Sequence, residues 1–257
     1  MFIFYPLVIL HGILSSSEDI QPVQDWFQNH LPSQIEVYNI EIGNGRQNSV
    51  FESMNWQLDQ LCEKIYSIES LRYGFNFVAI SQGGLLARGY VEKCNKFPVK
   101  KLITWGTPHE GIFGLNIFPV DINTIYTQYS QQHLSFASYW KEPRRMDDYL
   151  KFSTYLPFVN NEIEHTNFRT YKKNFESLEK FVMIWSKNDG VILPQNSARF
   201  SFDKEDLKNS RQYLDNLIGL RTLDESKRLF IREVDCKHIT FKNECLDEIG
   251  EITLHYL

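Results

Sequence analysis

Long uninterrupted apolar stretches are missing from this chain. The longest, residues 2–10, is broken by Pro6 and falls far short of the roughly 20 residues needed to cross a bilayer, so no transmembrane helix is expected. Basic charge is also scarce: 27 Lys and Arg stand against 32 Asp and Glu, a net charge of -5. Such a chain has no field to hold phosphates, and nucleic acid is not an expected partner. The first residues lack a basic leader and a small-residue cleavage site, so they read as a strand and not as a secretory signal. Asn-x-Ser/Thr sequons are absent too, which leaves no sign of a glycosylated history. Cysteine is sparse: Cys62, Cys94, Cys236 and Cys245 allow two disulfides in three pairings, or none. Neither internal repeats nor a domain linker interrupts the chain. Its 257 residues, 42% hydrophobic and 14% aromatic, suffice for one large core, and a single domain over 1–257 is expected.

What is present is organised around residues 75–88, FNFVAISQGGLLAR. An apolar, β-branched and aromatic run halts at Ser81, passes Gly83 and Gly84, and resumes as the helix-like Leu85, Leu86, Ala87. That is strand, sharp turn, helix. A nucleophile on such a turn projects its oxygen beyond the sheet edge, provided that small residues flank it two positions away. Ala79 and Gly83 are those neighbours, giving Ala-x-Ser-x-Gly, one methyl group from the usual Gly-x-Ser-x-Gly.

Before this stretch, residues 5–10 (YPLVIL) read as a strand buried on both faces and ending in the loop His11-Gly12-Ile13. Ser15, Ser16 and Ser17 are placed to cap a helix over about 19–31, with Glu18 and Asp19 suiting its positive end. A second strand is expected at 35–40. One long helix is expected over about 49–71, where Phe51, Met54, Leu58, Leu61, Ile65 and Ile68 repeat at spacings of three and four. After Ser81 a further strand at 101–105 stops at Gly106-Thr107-Pro108. The alternation implies an α/β fold with a mostly parallel sheet and flanking helices.

The alternation lapses over about 112–179, which reads as a helical insertion above the sheet's active edge. Its aromatic residues, among them Phe113, Phe118, Tyr139 and Trp140, are equally suited to line an apolar ligand groove or to form the insertion's own core. Strands return at 181–186 and 229–234, and a closing helix is expected over 244–256.

Three strands end in residues of three different kinds: Ser81, then Asp189, then His238. A serine hydroxyl needs an imidazole to take its proton and a carboxylate to hold that imidazole in the correct tautomer. Serine, acid, histidine is the chain order of the α/β-hydrolase fold, and groups at the carboxyl ends of parallel strands share one edge. Glu233 and Asp235 are rival acids; His11 and His109 are rival bases. Acyl transfer also requires donors aimed at the oxyanion. The backbone N–H groups of Gln82, next after the serine, and of Ile13, in the loop after the first strand, fit that role. This chemistry calls for no metal and no cofactor.

In these residues the chain resembles the palmitoyl-protein thioesterases, lysosomal α/β-hydrolases that remove fatty acyl groups from cysteine. The resemblance runs almost the whole length through PLVILHG (6–12), EIG (41–43), SQGG (81–84), HEGIFGL (109–115), YW (139–140), YKKN (171–174), KFVMI (180–184), ND (188–189) and LIGLRTLDES (217–226). It implies Ser81, Asp189 and His238 as catalytic residues, Ile13 and Gln82 as oxyanion donors, and S-acylated proteins or long-chain acyl thioesters as substrates, met at a membrane surface only in passing. It further implies a Cys62–Cys94 disulfide and hence an oxidising, lysosomal or secretory compartment. Cys236 and Cys245 flank His238 and are placed to brace its loop. A lipase or carboxylesterase acting on oxygen esters is the alternative that the same triad serves. Ala79 in place of the usual glycine, and the missing cysteines of animal members, are departures from the family pattern.

Overall fold

A computed structural model describes residues 4–115 and 120–257; Phe118, one of the aromatic residues considered for the groove, lies outside them. Eight strands are present among the described residues: β1 (Leu7–Leu10), β2 (Val37–Ile40), β3 (Phe75–Ile80), β4 (Val99–Trp105), β5 (Gly114–Leu115), β6 (Lys180–Trp185), β7 (Ile192–Leu193) and β8 (Leu229–Glu233). Six of them form one sheet in the order β2-β1-β3-β4-β6-β8, with every neighbouring pair parallel. β5 and β7 make a separate antiparallel ribbon.

Side chains alternate across each strand, and at the centre of the sheet both faces are buried. Leu7 and Ile9 of β1 join Val78, Ile80, Ile103 and Trp105 under the helices Gln21–His30 and Leu246–Tyr256. Val8 and Leu10 face the other way, with Phe75, Phe77 and Leu102, toward the helices Met54–Tyr66 and Gln82–Gly89. Burial on both faces explains why these strands read as continuous apolar runs.

Two local expectations are corrected. The single helix over 49–71 is two helices, Arg46–Phe51 and Met54–Tyr66. Ser53 breaks it: its backbone is extended and its hydroxyl accepts from Trp56 N, capping the second helix. Phe51 consequently leaves the buried stripe and is 57% exposed. The first helix also begins later than expected, at Gln21, after a short 3-10 turn (Glu18–Ile20) whose Asp19 N donates to the Ser16 hydroxyl.

Between β4 and β6 the chain forms the short helices Gln128–His133, Met146–Phe152, Leu156–Val159 and Phe168–Glu176. A buried arginine ties this segment to the helix that follows Ser81. The Arg88 guanidinium donates to the Val159 and His109 carbonyl oxygens and to Asn160 Oδ1 at 2.9, 3.3 and 2.7 Å, and pairs with Glu92 at 3.3 Å. Taking such a pair out of water is costly, and these bonds from Nη1 and Nη2 offset part of that cost, although Arg88 Nε and Glu92 Oε2 are buried without a partner among the described residues.

Glu92 has a measurable consequence. Burial pushes its carboxyl up to about 8 despite Arg88 beside it. A carboxyl raised in the folded state binds more protons folded than unfolded between the two values, so stability falls as pH rises through that window. His109, which burial and Arg88 push well below its ordinary 6.5, acts in the opposite sense, but only at lower pH. The thermal midpoint of the wild type is therefore expected to rise as pH is lowered from about 8 to about 6.5, whereas that of Glu92→Gln stays flat over the same interval. Differential scanning calorimetry checks this, and equal slopes for the two proteins would contradict it.

Candidate active site

Ser81 follows β3 at φ 54° and ψ -128°, a conformation that non-glycine residues seldom adopt. Such strain costs on the order of 1–3 kcal/mol and persists only where the surroundings over-determine it. They do so here. Ser81 N donates to the Trp105 carbonyl at 2.8 Å, and the Ser81 carbonyl accepts from Gly84 N at 3.0 Å and from the Thr107 hydroxyl at 2.9 Å. The glycines around it allow the close approach. A Cβ on Gly83 would lie 2.3 Å from the His11 carbonyl oxygen, one on Gly84 1.9 Å from the Thr107 hydroxyl, and one on Gly12 2.8 Å from Ser81 Cβ. The loops after β1 and β4 thus clasp the serine turn from two sides.

Asp189 lies in the turn after β6 and is 2% exposed. Its Oδ1 accepts from Val191 N and Ile192 N, both at 2.9 Å. Its Oδ2 lies 2.6 Å from His238 Nδ1. That bond leaves Nε2 as the ring nitrogen available to a substrate hydroxyl or serine, the tautomer a general base requires. The His238 loop is closed by a Cys236–Cys245 disulfide, and Cys62 bonds Cys94. Ser186 joins the two strand ends, since its hydroxyl accepts from Asn188 N at 3.0 Å and from Cys236 N at 3.3 Å.

Ser81 and His238 line one cavity of about 300 Å³, together with Gly12, Ile13, Leu14 and Val191; no hydrogen bond joins the two side chains directly. Catalytic hydrogen bonds are often loose without substrate and tighten when it binds. Gln82 opens the following helix, where the first backbone N–H groups have no intrahelical acceptor. Its side chain is held between the Ser49 carbonyl, Gln57 and the Tyr139 hydroxyl. The Ile13 backbone belongs to the β1 loop on the other wall. A serine and a carboxylate-bonded histidine that line one apolar chamber are chemically capable of nucleophilic acyl transfer.

The rival residues are occupied elsewhere. His11 bonds Glu41 and the Gly12 carbonyl oxygen. His109 is fully buried, 3.0 Å from the Thr104 hydroxyl and stacked on Phe200. Glu233 pairs with Lys187 at 3.2 Å, and Asp235 takes the Asn188 side chain.

The expected groove aromatics require correction. Tyr139 and Trp140 are each 2% exposed and sit in the core, not on the cavity wall. The Tyr139 hydroxyl is spent on Gln82 at 2.9 Å, and the backbone at Trp140 bridges to Ile112. Phe113 is 40% exposed but packs edge-on against Phe202, away from Ser81. An apolar groove of about 390 Å³ does adjoin the chamber, sharing Leu14 with it; Val50, Phe51, Ile125, Leu134 and Phe136 form its walls. These residues come from separate segments with no common period, so the sequence carried no signal for them beyond aromatic density. A larger cavity, about 530 Å³, opens among Tyr5, Leu31, Asn76 and Lys101 at the amino ends of the strands, the sheet edge opposite Ser81.

Comparison with known proteins bears on this site. Residues 6–238 match the family model described as palmitoyl protein thioesterase. A Dictyostelium discoideum protein named palmitoyl-protein thioesterase 3 is 38% identical across 98% of this chain and 92% of its own length. A Drosophila melanogaster protein named lysosomal thioesterase PPT2 homolog is 32% identical across 99% of this chain and 92% of its own. Among solved structures, an extracellular alpha/beta-hydrolase from a Paenibacillus species superposes with a TM-score of 0.51 at 15% identity, covering 98% of both chains. The fold is that of the α/β-hydrolases.

Proposed function

The chain belongs to the palmitoyl protein thioesterase family, and we propose that it hydrolyses long-chain acyl thioesters, releasing palmitoyl groups from S-acylated cysteines of proteins or from acyl-CoA. Ser81 is the nucleophile, His238 the general base and acid, and Asp189 the carboxylate that orients the imidazole. The backbone N–H groups of Ile13 and Gln82 receive the oxyanion. The single observation that carries this reading is the 2.6 Å bond from His238 Nδ1 to Asp189 in a chamber that Ser81 also lines.

The reaction divides into two halves. Ser81 Oγ attacks the thioester carbonyl while His238 Nε2 takes its proton, and the tetrahedral oxyanion settles against the two N–H groups. Collapse of this intermediate expels the thiol, protonated by His238, and leaves the acyl chain on Ser81. Water, deprotonated by the same nitrogen, then attacks the acyl-enzyme and frees the fatty acid. The chain of the acyl group lies across Leu14 into the groove walled by Val50, Phe51, Ile125 and Phe136. Each methylene buried there contributes roughly 0.8 kcal/mol, which makes chain length the main source of affinity.

We also read residues 1–257 as one α/β-hydrolase domain whose segment over about 112–179 is an insertion. Relatives named lysosomal thioesterases, together with two disulfides, support a lysosomal location for this protein. The candidate membrane contact belongs to substrate capture; no described helix is long and apolar enough to cross a bilayer.

Acyl release from a palmitoylated cysteine peptide tests the reading. Wild type is expected to turn over the thioester in preference to the matched oxygen ester, with a palmitoyl adduct on Ser81 visible by mass spectrometry. Ser81→Ala is expected to lose at least about 10³-fold in kcat. Preference for the oxygen ester would indicate an esterase instead, and an active Ser81→Ala would remove the serine from the reaction. The groove assignment has its own check. Phe51 is largely exposed, so Phe51→Ser leaves the fold intact and is expected to lower kcat/KM for palmitoyl substrates about tenfold, with hexanoyl substrates unchanged. Equal losses for both chain lengths would contradict it.

A further inference from the structure

The EIG motif at 41–43 takes no part in the chemistry just described, yet its first residue is the most heavily bonded carboxylate near the site. β1 and β2 are parallel and pair Leu10 with Ile40, so His11 and Glu41 emerge side by side just past the last register pair. Glu41 Oε1 accepts from His11 Nε2 at 2.7 Å and from Ile42 N at 3.0 Å. Glu41 Oε2 accepts from Ser17 N at 2.8 Å and from the Ser17 hydroxyl at 2.9 Å. One side chain therefore grips the β1 loop at both ends, at residues 11 and 17, with Ile13 between them.

Neighbouring contacts reinforce the same segment. Asn39 Nδ2, at the end of β2, donates to the Ser17 carbonyl at 2.7 Å. Leu14 N donates to the Ser49 hydroxyl at 2.9 Å, and Leu14 is held at φ 55°. The His11 ring spans the arrangement: Nε2 meets Glu41 while Nδ1 lies 2.9 Å from the Gly12 carbonyl oxygen. Gly45 keeps room for the carboxylate, because a Cβ there would stand 2.9 Å from both Glu41 Oε2 and Ser16 Cβ.

We infer that Glu41 is a positioning residue for the oxyanion site: it fixes the loop of residues 11–17 so that the Ile13 N–H points at the reacting carbonyl. The inference rests on the proposed role of Ile13. An oxyanion donor is effective only when it is oriented before the charge develops, since reorganisation during the reaction forfeits the gain. A loop held at one end would let the Ile13 peptide plane rotate; a carboxylate that joins both ends prevents this. The grip is also suited to acid. Burial opposes its ionisation, but the bonds from His11 and Ser17 prevail and hold the Glu41 carboxyl at about 2, below any pH at which a lysosomal enzyme works.

A palmitoyl trifluoromethyl ketone, which forms an oxyanion on Ser81, and free palmitate, which forms none, separate positioning from mere structural support. Glu41→Gln presents an amide N–H₂ where a donor now points and is expected to lower kcat about 10- to 100-fold with KM within about twofold. Its affinity for the ketone is expected to fall by the same factor and its affinity for palmitate to hold. Asn39→Ala, a milder change to the same loop, should show a smaller loss of the same kind and serves where Glu41→Gln does not fold. Equal losses of ketone and palmitate affinity, or an unchanged kcat in both variants, would overturn the assignment. If the wild type itself binds the ketone no better than the matched alcohol, the oxyanion reading fails and Glu41 loses its role with it.

Discussion

Ser81 sits on a strained turn, at φ 54°, where the loops after β1 and β4 meet the helix that begins at Gln82. Its positive φ is held by bonds to Trp105, Thr107 and Gly84, and those bonds form only because Gly12, Gly83 and Gly84 let three backbone segments approach more closely than any side chain would permit. The sheet supplies the frame. Parallel strands end together, so the loops after β1, β3, β4, β6 and β8 all reach the same edge, and a buried two-faced sheet gives that edge rigidity. The Asp189–His238 bond then has only to close the distance between two adjacent strand ends, which Ser186 already ties together.

Polar groups around the site are arranged so that each has one task. The Tyr139 hydroxyl and the Gln57 and Ser49 oxygens restrain the Gln82 side chain, leaving its backbone N–H at the start of the helix. Arg88 and Glu92, about two and three helical turns further on, join that helix to the segment between β4 and β6. Glu41 holds the loop on the opposite wall. The chamber they surround is apolar, which strengthens each hydrogen bond that a developing charge would make and suits a substrate whose bulk is methylene.

Much of this was legible in the chain. Serine, aspartate and histidine announce themselves because each ends an apolar run, and the fold brings run ends to one edge; the small residues around Ser81 signal a close crossing. Both cysteine pairs join as the family resemblance and the flanking of His238 implied. The apolar period over 49–71 misled at Ser53, where a capping hydroxyl outweighs a continuing stripe. Aromatic residues misled in another way. Tyr139 and Trp140 are as hydrophobic as any groove wall, but periodicity carries no information about which surface a short irregular segment turns inward. The groove beside Leu14 is assembled from four separate stretches, and the Glu41 bonds span 24 and 30 residues; contacts of that kind are set by topology, not by local pattern.

In the proposed reaction Ser81, His238 and the two backbone donors converge on one carbonyl whose acyl chain extends past Leu14. A crystal structure of the enzyme after reaction with a hexadecyl fluorophosphonate would show whether they do. Phosphorus is expected on Ser81 Oγ, with the phosphoryl oxygen about 2.7–3.1 Å from both Ile13 N and Gln82 N and the alkyl chain against Phe51 and Phe136. An adduct on another residue, or a phosphoryl oxygen turned away from those two nitrogens, would contradict the proposed reaction.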